Sequence, residues 1–252
     1  MKSKYSLLII AIIYGNLALS QAQVETLHAN PFHKETILVL TATAGYVHEE
    51  AIPAGKNLLA NMGVENSFNV LHINKAEAIE EIDLSTIKAV VFLCTTLDIF
   101  DNEQENIIKK YIQNGGGYVG IHAAADTEYD WPWYGQLVGA YFDSHPPGTP
   151  NATLTTLETK TNFTNHLPKS WTIDDEWYNY TFRNKAIIPL LNLEESSYSG
   201  GSNGAKHPIT WYHDFDGGRS FYTGLGHKKS TYEDERFIQL LRKGLFYAMN
   251  RP

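Results

Sequence analysis

Apolar positions along this chain keep two alternating rhythms. Residues 36–41 (Thr-Ile-Leu-Val-Leu-Thr), 68–73, 89–93 and 118–121 are short, nearly continuous apolar runs, which suit strands covered on both faces of a parallel sheet. Between them the period lengthens to that of a helix. Residues 52–62 carry apolar side chains at helical spacing, with Gly63 as the expected stop. Asp101 is placed to cap a second helix, and Gln104 three residues later completes a capping box. Ile107, Ile108, Tyr111 and Ile112 form the buried stripe of that helix, and Gly115 ends it. Strands alternating with helices in this way predict right-handed βαβ units in a doubly wound sheet. The segment before them, residues 24–34, reads as a polar leader.

From Asp130 the pattern changes. Trp131-Pro132-Trp133-Tyr134-Gly135 is dense in aromatics, and Ser144-His145-Pro146-Pro147-Gly148 reads as a rigid turn. Residues 152–159 alternate with period two, the mark of a half-exposed strand, and residues 187–193 form another. Asp216-Gly217-Gly218 is a hairpin turn joining residues 209–215 to 219–223. A last helix starts at Thr231 and Asp234, read as a capping box, and buries Phe237, Leu240, Leu241, Leu245 and Ala248. No repeat and no linker interrupts residues 36–249, which predicts one α/β domain with a mostly parallel sheet and additional strands in its second half.

Composition adds compartment and excludes some partners. Lys2 and Lys4, the apolar run 7–13 and the small residues Ala18-Leu19-Ser20 make residues 1–22 a signal peptide, with cleavage spacing at Ala18-Leu19-Ser20 and a second cut site after Ala22. The run is too short to span a bilayer, so no stable membrane anchor is expected, and the protein is read as exported to a bacterial periplasm or beyond. Acidic residues number 28 against 20 basic ones, and loss of Lys2 and Lys4 takes the net charge from −8 to about −10. That balance excludes nucleic acid as a partner. Cys94 is the only cysteine, so it forms no intramolecular disulfide and reads as a buried strand thiol.

The stretch Gly115-Gly116-Gly117-Tyr118-Val119-Gly120-Ile121-His122-Ala123-Ala124-Ala125-Asp126 carries the chemistry. Strand ends in open α/β sheets are where ligands collect, and His122 stands at one. A strand-to-helix elbow normally carries Ser or Cys, yet here the position holds an imidazole. The glycines precede a strand rather than following one, so no nucleotide cofactor is expected.

Gly120 to Trp131 (GIHAAADTEYDW), Asp175-Glu176-Trp177-Tyr178, His207-Pro208-Ile209-Thr210-Trp211 and Gly224-Leu225-Gly226-His227 resemble the ThuA-like family of trehalose utilisation, within the class I glutamine amidotransferase-like superfamily. The resemblance runs from about residue 36 to residue 249. It implies a flavodoxin-like three-layer sandwich and a link to sugar catabolism. The superfamily pairs an elbow Cys with a His after a late strand. In this chain His122 and His227 occupy those places, and the missing thiol argues against glutaminase activity.

His122, Glu176 and His227 are the candidate catalytic residues. Imidazoles serve as general bases, proton shuttles or metal ligands, and the aromatic surround of Glu176 would raise its pKa towards acid/base work. The two imidazoles are expected to meet at the rim of one sheet. His48 opens on the same ligand face, Asp126 either orients His122 or caps a turn, and His207 and His213 are six apart on one strand. Trp131, Trp133, Tyr134, Trp177 and Tyr178 are expected near the rim, where some would stack on sugar rings. The substrate contacts are therefore assigned to His48, Asp126, Trp131, Trp133, Tyr178 and His213. No H-E-x-x-H and no CxxC pair is present, so a divalent metal would have to be assembled from distant loops, for example by His122, His227 and Glu176. The leading expectation is an exported enzyme acting on a sugar or oxidised sugar derivative as hydrolase, lyase or isomerase. The alternative is a non-catalytic carbohydrate-binding module on an amidotransferase-like fold.

Overall fold

The computed structural model describes residues 24–157 and 162–251. The signal peptide expected at residues 1–22 lies outside the described residues. The first half contributes β1 (Glu25–His28), β2 (Thr36–Leu40), α1 (Ala51–Asn66), β3 (Asn69–Ile73), β4 (Ile87–Leu93), α2 (Asn102–Gln113) and β5 (Gly117–Ile121). The second half adds α3 (Pro132–Val138), β6 (Ala140–Ser144), β7 (Asn151–Thr156), β8 (Ser170–Asp174), β9 (Asn179–Phe182), β10 (Ile188–Glu194), β11 (Pro208–Phe215), β12 (Gly218–Thr223) and α4 (Glu235–Ala248).

One large sheet runs in the order β1-β3-β2-β4-β5-β12-β11-β10-β7-β8, and β6 pairs with β9 in a second, two-stranded sheet. The centre, β3-β2-β4-β5-β12, is parallel, as the apolar runs demand. Antiparallel strands extend it on both sides, with β1 on one edge and β11, β10, β7 and β8 on the other. This is the α/β architecture with added second-half strands that the sequence predicts. β1 is an addition, since its residues read as a polar leader.

Helices cover both faces, and β5 shows how they are sorted. A Cβ on Gly117 would lie 2.1 Å from the carbonyl oxygen of Ala248, so α4 rests directly on that glycine. Successive strand residues point to opposite faces. Tyr118 therefore points away from α4, and its hydroxyl meets that of Tyr134 in α3 at 2.8 Å. Leu93 is in register with Ile121, on the α4 face, where its side chain packs on Gly55 of α1. Gly218 faces Ile112 of α2, two positions from Ser220, which is in register with Tyr118. α1 and α4 thus share one face, α2 and α3 the other.

Helix ends depart from the pattern in two places. α1 continues through Gly63 and stops at left-handed Ser67, φ 59°. Gly63 serves packing instead, since a Cβ there would meet the Phe68 carbonyl oxygen at 2.8 Å. α2 has the capping box read from Asp101 and Gln104. α4 begins one turn later than expected: Asp234 is itself the N-cap, accepting from the backbone N–H of Arg236, and the Thr231 hydroxyl is spent elsewhere. The turn at Asp216-Gly217 has positive φ at both residues, 48° and 95°, the twist a two-residue hairpin needs.

Candidate active site

Three chain segments leave the carboxyl ends of the parallel strands and carry a histidine each. After β2, the loop to α1 is sewn to the end of β4: Ala44 N–H donates to the Thr96 carbonyl, Gly45 N–H to the Thr96 hydroxyl, and that hydroxyl donates to the Tyr46 carbonyl. The loop thereby sets His48, which is 4% exposed. After β5, the chain turns sharply at His122, whose φ of 52° is left-handed, a conformation that costs a residue with a Cβ. Ala123, Ala124 and Ala125 are fully buried behind it, where only small side chains fit the tight turn. After β12, Gly224-Leu225-Gly226 leads to His227, with Gly226 at φ 123°.

The fourth contributor, Glu176, comes from the loop between β8 and β9. Its neighbour Asp175 is completely buried and fastens that loop to the His227 segment. The Asp175 carboxylate accepts from Gly226 N–H at 2.9 Å, His227 N–H at 3.0 Å and the Thr231 hydroxyl at 2.8 Å. A buried carboxylate survives only with such a set of donors.

The polar atoms converge closely. His122 Nδ1 donates to the Gly224 carbonyl at 2.9 Å, so Nδ1 carries the hydrogen and Nε2 offers a lone pair. That Nε2 lies 3.3 Å from Glu176 Oε2 and 3.3 Å from His227 Nδ1, and His227 Nδ1 is itself 3.3 Å from Glu176 Oε2. The His48 ring stands edge-on to both, with centroids 4.8 Å from His122 and 5.2 Å from His227. Tyr178 covers His122 at 4.5 Å, and the Tyr222 hydroxyl donates to the His122 carbonyl.

Charge follows from these contacts. Burial alone would raise Glu176, but the close approach of the His122 and His227 imidazoles outweighs burial and holds it well below the usual carboxylate range. The sequence predicts the opposite direction, because it sees the aromatic neighbours and not the imidazoles. His227 is raised, chiefly by its contact with Glu176, against the pull of burial. His48 is pushed down to about 3, first by burial and then by His122 and His227. The site therefore combines a carboxylate, an imidazole that favours its proton and an imidazole held neutral, a set able to give and take protons at adjacent points.

A cleft of about 700 Å³ opens over this cluster, lined by Tyr46, Val47, His48, Glu49, Thr149, His227 and Lys228. His48 and His227 join the cluster to this cleft, while His122 is fully buried and does not line it. A second cavity of about 720 Å³ lies at the amino ends of the strands, beside Gly116 and Arg219. Among the described residues, metal-ligand side chains gather at the first cleft and not at the second.

The expected residues divide accordingly. His48, His122, Glu176 and His227 come together, with Tyr178 packed on His122. Asp126 ends the short helical turn after His122 and accepts from the Tyr129 hydroxyl at 2.6 Å; burial raises its pKa. Trp131, Trp133 and His213 lie away from the cluster. Trp131 and Trp133 stack on each other at 4.9 Å, and Trp133 Nε1 donates to Asp216 in the β11–β12 turn, at the opposite end of the sheet. His213 sits in register with Ser220, low on the sheet, and its Nε2 bonds the Gln136 carbonyl. Trp177 is buried and Nε1 donates to the Pro150 carbonyl, while His207 bridges Glu195 and the Tyr178 carbonyl, supporting the loop from behind.

Two residues were not singled out by the sequence. His145, in the proline-rich turn, places Nδ1 3.4 Å from Glu176 Oε1. Asp175 passes for a solvating neighbour of Asp174. The available signal was the strand's own alternation: Asp174 ends β8 exposed, so the next side chain turns inwards.

The sequence pattern of the ThuA family, described as trehalose utilisation, matches residues 36–248. No curated protein matches the chain. Among solved structures, a ThuA-like protein from Bacteroides uniformis is similar, with a TM-score of 0.73 at 20% identity over 88% of this chain and 94% of its own. One from Parabacteroides merdae gives 0.69 at 20% identity, over 86% and 91%. A β-galactosidase from Rahnella sp. R3 shares the fold at 0.57 and 12% identity, over 85% of this chain but 32% of its own length. With its family pattern spanning the sheet from β2 onward and all the cleft residues, the chain belongs to the ThuA family.

Proposed function

We propose that the protein is an exported enzyme of carbohydrate catabolism that processes a sugar or oxidised sugar derivative by acid/base chemistry at this cleft. The observation that carries the reading is the triangle of His122 Nε2, His227 Nδ1 and Glu176 Oε2, 3.3 Å on each side, at the carboxyl ends of β5 and β12. Family membership supports the tie to trehalose utilisation, and the amino-terminal sequence supports export. Glu49, Thr149 and Lys228 line the cleft mouth with the hydrogen-bonding groups that sugar hydroxyls require, beside the aromatic edge of Tyr46. Within the triangle, Glu176 and His227 are the proton acceptor and donor. His122, buried beside them, holds their geometry and receives charge through Nε2. Such a pair suits proton abstraction beside a carbonyl, or hydrolysis, and the absent thiol leaves no route to a thioester.

The test is a turnover screen of the purified protein on disaccharides and their 3-keto derivatives, read by product analysis. Turnover that falls at least 100-fold, roughly the general acid–base contribution, in Glu176→Gln and His227→Ala supports the reading. Saturable sugar binding without turnover would instead assign the chain to the binding-module class.

A further inference from the structure

We infer that His48, His122, His227 and Glu176 together hold one divalent transition-metal cation of the zinc class. The inference deepens the reading of the same cleft and rests on it for the site's purpose, though not for its existence. With the ion in place Glu176 Oε2 and His227 Nδ1 serve as its ligands, and the ion supplies Lewis-acid polarisation where they would otherwise exchange protons.

Spacing is the first ground. A tetrahedral ion with bonds of about 2.0–2.1 Å sets its donor atoms roughly 3.3–3.4 Å apart. His122 Nε2, His227 Nδ1 and Glu176 Oε2 are separated pairwise by 3.3, 3.3 and 3.3 Å. Charge-assisted hydrogen bonds run shorter, near 2.7–2.9 Å, so the contacts fit edges of a coordination shell better than they fit ion pairs.

Donor chemistry is the second. The hydrogen on His122 Nδ1 is committed to the Gly224 carbonyl, which leaves a lone pair on Nε2 facing carboxylate lone pairs on Glu176. A proton on His227 Nδ1 can point well at only one of the two. A cation at the centre satisfies all three. His48 brings a nitrogen within 4.8 Å of the other donors, and among the described residues its buried Nδ1 has no hydrogen-bond partner. Three imidazoles and one carboxylate make a borderline donor set, suited to zinc and its neighbours and poor for calcium or magnesium.

Support from the surroundings is the third. A ligating histidine commonly donates its other N–H to a carbonyl, as His122 does to Gly224. His145 approaches the second oxygen of Glu176, leaving Oε2 to the ion. The buried Asp175 fixes the backbone of both Glu176 and His227.

The experiment uses the full chain, purified, stripped with chelator and returned to zinc or cobalt. One equivalent of zinc by elemental analysis, a zinc-dependent rise in melting temperature, and visible ligand-field bands of tetrahedral cobalt are expected. Glu176→Gln, which keeps the side chain's shape, and His48→Ala should each weaken zinc by at least the roughly 100-fold that losing a mere outer-sphere partner costs. His33→Gln, outside the cluster, should bind as the parent does. A folded parent that takes up no stoichiometric zinc overturns the inference, as does zinc retained with unchanged affinity by both cluster variants. Turnover by the stripped protein together with no zinc uptake would sink the metal and leave the acid/base reading standing. Stoichiometric metal without turnover on any sugar would do the reverse.

Discussion

His122 joins a left-handed backbone to a ring with no exposure, and the two facts are linked. The turn that aims Nε2 at Glu176 is one that a glycine would enter freely, so the imidazole is kept there at a conformational cost of roughly 1 kcal/mol. His122→Gly should accordingly be more stable than His122→Ala by about that amount in denaturant titration, although it removes more of the side chain. Equal stabilities would mean that the turn relaxes once the ring is gone. Glu128 is a second residue where local chemistry reaches the whole fold. It is 1% exposed, accepts from the N–H groups of Ile99 and Phe100, and burial raises its carboxyl from 4.5 to about 7. Between those two values the native state keeps a proton that the unfolded chain has released, so stability falls as pH rises through that window. The full effect is roughly 3 kcal/mol at most. Glu128→Gln should flatten this part of the stability curve, measured by urea unfolding at pH 5 and at pH 8.

Elements differ in how much of their placement is local. The Asp101–Gln104 box closes within four residues, which is why α2 could be read from the sequence with its start intact. Asp101→Ala should cost about 1 kcal/mol by thermal or urea unfolding, with the melt otherwise unchanged in cooperativity. The apolar runs of β2, β4 and β5 were legible for a similar reason: strands buried on both faces advertise themselves by composition. Other features were hidden because their cause lies far along the chain. Thr231 looks like a cap until Asp175, 56 residues away, claims its hydroxyl. Trp133 looks like a rim aromatic until Asp216, 83 residues away, takes its indole N–H. β1 has no apolar run to betray it and exists because the open edge of β3 accepts it. His122 and His227 could be picked out because each follows a strand. His145 could not, because only the folded chain brings its turn against Glu176.

At the scale of the molecule, the lone thiol offers a reporter. Cys94 follows β4, is fully buried and contacts the Gly226 carbonyl and the Tyr232 hydroxyl. Burial pushes its pKa up to about 12, so neither access nor thiolate is available in the native state. A disulfide reagent should therefore label the protein only as fast as it unfolds, and labelling rates in increasing urea should track the optical unfolding transition. Fast labelling without denaturant would show that the β12–α4 connection opens by itself.

The buried carboxylate of Asp175 has one more implication, for the order in which the molecule is assembled. It ties a loop near position 175 to backbone near position 227, while the rings they bring together start at position 48. A growing chain can complete the β2-β4-β5 scaffold early, yet three of the four cluster residues have no common floor until the last strand has crossed back and α4 has locked down on Gly117. Closing the four-residue cluster therefore waits on the last strand, and any product truncated before β12 would lack His227 and the Gly226 and Thr231 groups that hold the Asp175 carboxylate.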